Sequence, residues 1–332
     1  MPQTLPLQPW LGLRRFLLPA RYSMSDSPAS AHFQNEQAES RRTILKLPRQ
    51  RSLPFGTQPL IMGIVNVTPD SFFEGSRKYE PQAAVEAAHA MVSQGAHIID
   101  FGAESTRPGS SEIDPKEERA RLLPVIERFR AASDAVISVD TRHPEVARAA
   151  LEAGADILND IEALAEPGMA EIAAKHHAAV VLMHMQGAPA TMQIAPTYTD
   201  CLEEVYTFLR TVAQDAIAAG ISAESIILDP GIGFGKLKEH NLALLQGLPR
   251  IRSLGFPVLI GLSRKRLVGE LTGREIPERL AGSIGGALAA WMAGADILRV
   301  HDVAETVDAV RVFTAIFPSR PLGTESSRGV PS

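Results

Sequence analysis

From residue 60 onward the chain alternates short, unbroken apolar runs with longer stretches in which apolar residues recur every three or four positions. A run of four to eight apolar residues closed by turn residues marks a strand covered on both faces, and the longer period is that of an amphipathic helix. The runs predict strands over 60–66, 97–101, 136–140, 156–160, 179–184, 225–229, 257–262 and 296–301. The helical period predicts helices over 81–94, 115–130, 145–153, 198–219, 239–254, 277–293 and 303–317. Gly95, Gly154, Gly220, Gly255 and Gly294 each follow a helical stretch by about one position, where helices most often stop. Eight strand–helix units over about 260 residues match the size and alternation of an α/β protein of the (β/α)8 TIM-barrel class, whereas a doubly wound sheet would usually need fewer strands.

Residues 1–56 read differently. Gln, Ser, Pro and Arg are frequent there and the apolar residues keep no period, so a flexible, disordered N-terminal extension is expected, followed by a barrel over 57–318 and a flexible tail over 319–332. Arg14, Arg15 and Arg21 precede the first acidic residue, Asp26, and faintly resemble a targeting presequence. The apolar stretch around Phe16 and Leu18 is too short for a good signal core, and Met24 is an equally good start.

Composition narrows the function classes. With 332 residues and 45% hydrophobic content the chain can bury a large core. A net charge of -5 and a pI near 6.0 argue against a general nucleic-acid surface, though local basic clusters can still hold small anions. No stretch approaches the roughly 18 apolar residues of a membrane span, so a membrane protein is not expected. The lone Cys201 rules out an internal disulfide, suits a reducing compartment such as the cytoplasm, and has no neighbours at metal-ligand spacing.

If the eight runs close a barrel, their C-terminal ends share one face. Those ends carry Asn66, Asp100, Asp140, Asn159 with Asp160, His184, Asp229, Ser263 and His301. One polar residue at a strand end is as well explained by a helix cap as by a ligand. Polar groups ending nearly every strand exceed what caps require, which points to a shared, solvated site. Asp140 and Asp229 are carboxylates with Asn159 between them in sequence, a set suited to a flat heterocycle with alternating donors and acceptors; either Asp alone remains equally well explained as a cap. Gly231-Ile-Gly-Phe-Gly-Lys236 has neither the dinucleotide nor the Walker spacing, and Leu237 stands where Ser or Thr should follow the Lys. It reads as a flexible turn that lets Phe234 approach a ligand. Arg107, Lys265 and Arg299 lie in the loops or strand ends of the same face, and three cations together favour an anionic ligand. His176 and His177 read as surface, and Met183, His184 and Met185 as wall.

The segments Asn66-Val-Thr-Pro-Asp-Ser-Phe72, Glu104-Ser-Thr-Arg-Pro-Gly109, Ser138-Val-Asp-Thr141, Asn159-Asp-Ile161, Leu182-Met-His-Met-Gln-Gly187, Leu228-Asp-Pro-Gly231, Ser263-Arg-Lys265 and Arg299-Val-His-Asp302 resemble, as an ordered set, the dihydropteroate synthases of folate biosynthesis. The resemblance covers residues 60–317. It implies a pterin-binding barrel that joins 6-hydroxymethyl-7,8-dihydropterin diphosphate to 4-aminobenzoate with Mg2+, breaking the C–O bond before the amine attacks, and it suggests a homodimer. By the same resemblance Asp140, Asn159, Asp229 and Lys265 would hold the pterin, and Asn66 would meet the metal. Thr106, Arg299 and His301 would hold diphosphate, while Arg107, Pro108, Phe234 and Ser263 would line the aminobenzoate side. Phe72 and Val300 join the substrate-binding set, and Asp140, Lys265, Arg107, Arg299 and His301 would carry catalysis. The chain departs from the family pattern at Phe73-Glu-Gly-Ser76, usually Ser-Asp-Gly-Gly, at Ala103, usually Gly, and at Arg142-His143, usually Ser-Lys. Two rivals remain. A pterin-binding methyltransferase domain using methyltetrahydrofolate should lack Ser-Thr-Arg-Pro-Gly and Ser-Arg-Lys, and a non-catalytic pterin-binding module would not require a diphosphate and metal site.

Overall fold

In the computed structural model the described residues are 44–56, 58–67, 81–103, 113–188 and 191–317. A hairpin of β1 (Ile44–Lys46) and β2 (Ser52–Pro54) comes first, followed by β3 (Leu60–Asn66), α1 (Pro81–Ser93), β4 (Ile98–Gly102), α2 (Pro115–Ala132), β5 (Val136–Asp140) and α3 (Pro144–Glu152). The chain continues through β6 (Ile157–Asp160), α4 (Met169–Lys175), β7 (Ala179–Met183), α5 (Cys201–Ala218), β8 (Ile226–Asp229), α6 (Lys238–Gln246) and α7 (Leu248–Arg252). It ends with β9 (Leu259–Ile260), α8 (Arg266–Thr272), α9 (Leu280–Ala293), β10 (Ile297–Val300) and α10 (Val303–Ile316). β3 to β10 form one parallel sheet in the order β8-β7-β6-β5-β4-β3-β10-β9. A parallel bridge between Leu228 and Val258, with the Leu228 amide donating to Pro257 O at 2.9 Å, joins the two ends, so the eight expected strands close into the expected barrel.

Side chains alternate across each strand, and two separate cores result. Leu60, Met62, Ile98, Val136, Ile157, Ala179, Val181, Ile227, Leu259 and Ile297 point into the barrel and pack together. Their neighbours, among them Ile61, Ile99, Ile137, Leu158, Leu228 and Leu298, face outward against the helices. This two-sided burial is why the strands read as continuous apolar runs instead of an alternating pattern.

The structured chain starts before residue 57, which corrects the extent of the expected extension. Leu45, Leu47 and Phe55 of the hairpin segment belong to the barrel-interior core. Arg49 and Arg51 reach Asp156, which is fully buried and also accepts from Arg130 Nη2 at 2.8 Å and from the Ile137 amide at 3.0 Å. Three apolar residues spread over eleven positions leave no period to read, so a barrel floor built from them is invisible in sequence. Residues 1–43 and 318–332 lie outside the described residues. Three helices also differ from expectation. α4 and α8 are seven residues each, too short for their period to stand out, and the helix expected over 239–254 is split at Gly247 because Pro249 has no N–H to continue the ladder.

Candidate active site

The inward positions of the strands change character over a single step of two residues. Ile98 is followed inward by Asp100, Ile157 by Asn159, Ile227 by Asp229 and Ile297 by Arg299, while Val136 is followed by Ser138 and then Asp140. Register places Asp100 opposite Ser138 and Asp140 opposite Asn159. An apolar plug thus fills the lower barrel, and a polar layer sits on it at the C-terminal end, where barrel enzymes keep their sites.

Arg299 binds that layer together. Its Nε donates to Asp100 Oδ2 at 2.7 Å and its Nη2 to Asp140 Oδ2 at 2.7 Å, and Asn159 Nδ2 donates to Asp100 Oδ2 at 3.1 Å. Burial pushes the Asp140 carboxyl up to about 7 against the opposing pull of Arg299, with Asp100 adding to the rise. Burial also raises Asp229, which Lys265 counteracts, and lowers Lys265 to about 8. Arg299, between two carboxylates, is held firmly in its charged form. Asp100 Oδ1 and Ser138 Oγ are buried with no hydrogen-bond partner among the described residues, which leaves polar capacity for a ligand that brings its own donors.

The loops after β8 and β9 form the other side. Lys265 donates to Ile232 O at 2.5 Å, and its Nζ lies 4.5 Å from the centroid of the Phe234 ring. Its neighbour Arg264 takes φ 58 and faces away, donating to Asp302 from Nε at 2.9 Å and from Nη2 at 2.5 Å, while its amide donates to Ser283 Oγ at 2.8 Å. That outer clamp ties the loop carrying Ser263 and Lys265 to the one carrying His301, whose Nδ1 lies 3.2 Å from Ser263 Oγ. Glycine loop 231–235 is pinned rather than flexible: Asp229 Oδ1 accepts from the Gly231 amide at 2.7 Å, Asn241 Oδ1 accepts from the Gly233 amide at 2.7 Å, and Tyr198 donates to Gly235 O at 2.8 Å.

Of the residues expected in the site, Asp140, Asn159, Asp229, Lys265 and Arg299 are brought together at the barrel mouth. Ser263, His301 and Phe234 border it, and Asn66 is half-buried at the end of β3. Val300 is not part of this layer, since its side chain packs in the core between sheet and helices. Phe72, Thr106, Arg107 and Pro108, like the variant positions Phe73 to Ser76, lie outside the described residues. The departures Arg142 and His143 take outer roles, pairing with Glu162 at 3.3 Å and Glu118 at 2.6 Å, respectively. Asp160 is a turn residue, accepting from the amides of Glu162 and Leu164 at 2.8 Å each. Asp100, a strand-end carboxylate to which the sequence assigns no role, accepts from both Arg299 and Asn159. Its inward parity with Asn159 and Asp229 was the signal available.

The family model described as pterin binding enzyme matches residues 62–301. The dihydropteroate synthase of Escherichia coli K12 is 46% identical over 264 residues, which span 80% of this chain and 94% of that protein. A Xanthomonas albilineans dihydropteroate synthase solved with 4-aminobenzoic acid superposes with a TM-score of 0.78 at 46% identity, covering 83% of this chain and 98% of that one. The same enzyme in complex with 7,8-dihydropteroate superposes with a TM-score of 0.75 at 44% identity, over 82% and 98% of the two chains.

Proposed function

The chain belongs to the dihydropteroate synthase family of pterin-binding enzymes, and we propose that it joins 6-hydroxymethyl-7,8-dihydropterin diphosphate to 4-aminobenzoate, releasing diphosphate and 7,8-dihydropteroate. The observation that carries this reading is the polar layer of Asp100, Asp140, Asn159, Asp229 and Arg299 seated on an apolar plug. A pterin ring presents several N–H donors in one plane, and buried carboxylates and an amide are the acceptors such an edge requires. Lys265, whose ammonium lies between Ile232 O and the Phe234 ring, supplies a donor for the ring's acceptors.

In the reaction the C–O bond at the pterin methylene breaks, diphosphate leaves with the electron pair, and the arylamine nitrogen bonds the methylene and loses a proton. Positive charge that develops on the methylene is favoured by Asp140 and Asp229, which are already oriented and cost no reorganisation. Arg299, now spanning Asp100 and Asp140, and His301 beside Ser263 are the described residues assigned to the departing diphosphate. By the sequence resemblance Thr106 completes that set, Arg107 and Pro108 join Phe234 and Ser263 on the aminobenzoate side, and Phe72 belongs to the substrate-binding residues.

A magnesium ion fits the residues present. Mg2+ takes hard oxygen donors and keeps waters or substrate phosphates for most of its shell. The Asn66 side-chain amide, at the C-terminal end of β3, offers one such oxygen. Bound beside Asn66, the ion would neutralise charge on the departing diphosphate.

Incubating the protein with both substrates and Mg2+ should release diphosphate only when 4-aminobenzoate is present. No release, or methyl transfer from methyltetrahydrofolate instead, would overturn the reading. A homodimer and a cytoplasmic location belong to the same proposal. The second is supported by a free buried Cys201 and by the fact that no described helix is long and apolar enough to cross a membrane. Light scattering of the purified chain tests the dimer.

A further inference from the structure

We propose that Lys236 is the positioning residue of the aminobenzoate wall: its buried side chain fixes loop 231–235, and with it the Phe234 ring, by bonding at once to that loop and to the end of β7. The proposal rests on the assignment of Phe234 to the aminobenzoate side. Lys236 is 3% exposed. Its Nζ donates to Phe234 O at 3.0 Å and to His184 O at 3.2 Å, and lies 2.9 Å from His184 Nδ1. Burial lowers the Lys236 pKa to about 7, and in its protonated form three acceptors meet the three N–H groups of one ammonium. Burial lowers the His184 pKa to about 3, so the ring is neutral and its Nδ1 can accept. Phe208 packs edge-on against it with centroids 4.9 Å apart, which fixes the ring plane.

The glycines make this reach possible. Gly231 and Gly235 take φ 68 and 62, and a Cβ on either would stand 1.9 Å from His184 O or 2.2 Å from Gln186 O. The loop therefore lies directly against residues 184–186, close enough for one lysine to bridge them. Tyr198 and Asn241 hold Gly235 and Gly233, and Gln193 donates to Gly233 O at 2.5 Å. Only Lys236, among the described residues, bonds the carbonyl of Phe234 itself. An apolar side chain of equal length would fill the space at no desolvation cost but would leave the Phe234 and His184 carbonyls without this donor. Freed, the Phe234 peptide can rotate, and its ring then moves off the face it shares with Lys265.

Steady-state kinetics on the full chain test this with Phe234→Ala, Lys236→Met and the double variant. Phe234→Ala is expected to raise KM for 4-aminobenzoate about tenfold. Lys236→Met should raise the same KM about fivefold while KM for the pterin diphosphate stays within about twofold, and the double variant should be no worse than Phe234→Ala, because the lysine acts through the ring. A role in stability alone predicts otherwise: unchanged KM values with a lowered Tm, or losses that multiply in the double variant, overturn the proposal. An unchanged KM in Phe234→Ala identifies a different failure, that of the aminobenzoate assignment. If Lys236→Met does not fold, Lys236→Gln, which keeps an N–H donor, should give a smaller rise in the same KM, and no rise overturns the proposal.

Discussion

Asp140 carries the most quantitative expectation. Its carboxyl titrates near 7 because burial disfavours the charge more than Arg299 favours it. Only the ionised form can accept from two pterin N–H groups. About a tenth of the sites are ionised at pH 6 and about nine-tenths at pH 8, so pterin diphosphate affinity should rise about tenfold across that interval. Asp140→Asn removes a charge-assisted acceptor worth roughly 1.5 to 3 kcal/mol, about 10- to 150-fold in Kd at pH 8, and should flatten the profile. Titration calorimetry of both proteins with the pterin diphosphate, without 4-aminobenzoate, gives the ratio directly, and the ligand's own ionisation cancels in it. Stability carries the same group with a defined sign. The folded pKa lies above the ordinary 3.8, so between about 4 and 7 the folded chain holds a proton that the unfolded chain has lost. This group's stabilising contribution is full below about pH 4 and is lost as pH rises through 7, and Asp140→Asn should show a flatter Tm over that window. A wild-type Kd that is constant from pH 6 to 8, or an equal slope in Asp140→Asn, would refute the reasoning.

Two further expectations follow from the geometry and a third from the sequence resemblance. Leu45→Ala opens a cavity in the barrel floor and should cost about 2 to 5 kcal/mol, seen as a Tm lower by roughly 4 to 20 °C with KM values unchanged. Gly235→Ala combines a left-handed φ with a carbonyl that would sit 2.2 Å from the new methyl, so scanning calorimetry should show destabilisation of about 1 to 3 kcal/mol, with a raised KM for 4-aminobenzoate. The resemblance implies that residues 68–80 and 104–112, which lie outside the described residues, complete the aminobenzoate side, so 4-aminobenzoate is expected to bind weakly to the free protein and much more tightly with diphosphate, Mg2+ and a pterin present; equal affinities by calorimetry would point to a preformed pocket.

The alternation of apolar runs with helical stretches determined the barrel by itself, because strands buried on both faces need unbroken apolar sequence and each crossover needs a helix. The polar strand ends determined where the site lies, and Asp140, Asn159, Asp229, Lys265 and Arg299 were legible as its members for that reason. The tertiary structure alone decided what each of these groups faces. Arg299 looks in sequence like a free cation for diphosphate, yet it spans Asp100 and Asp140, since only the closed barrel brings β10 beside β3 and so within reach of β4 and β5. Val300, one position on, turns outward by parity. The hairpin floor, with Leu45, Leu47 and Phe55, and the Lys236–His184 bridge join segments far apart in the chain, and such contacts leave no periodic trace. Gly231-Ile-Gly-Phe-Gly-Lys236 shows the division most plainly: sequence marks its glycines as places where the backbone must turn or approach closely, and only the fold supplies the carbonyls of His184 and Gln186 that they approach.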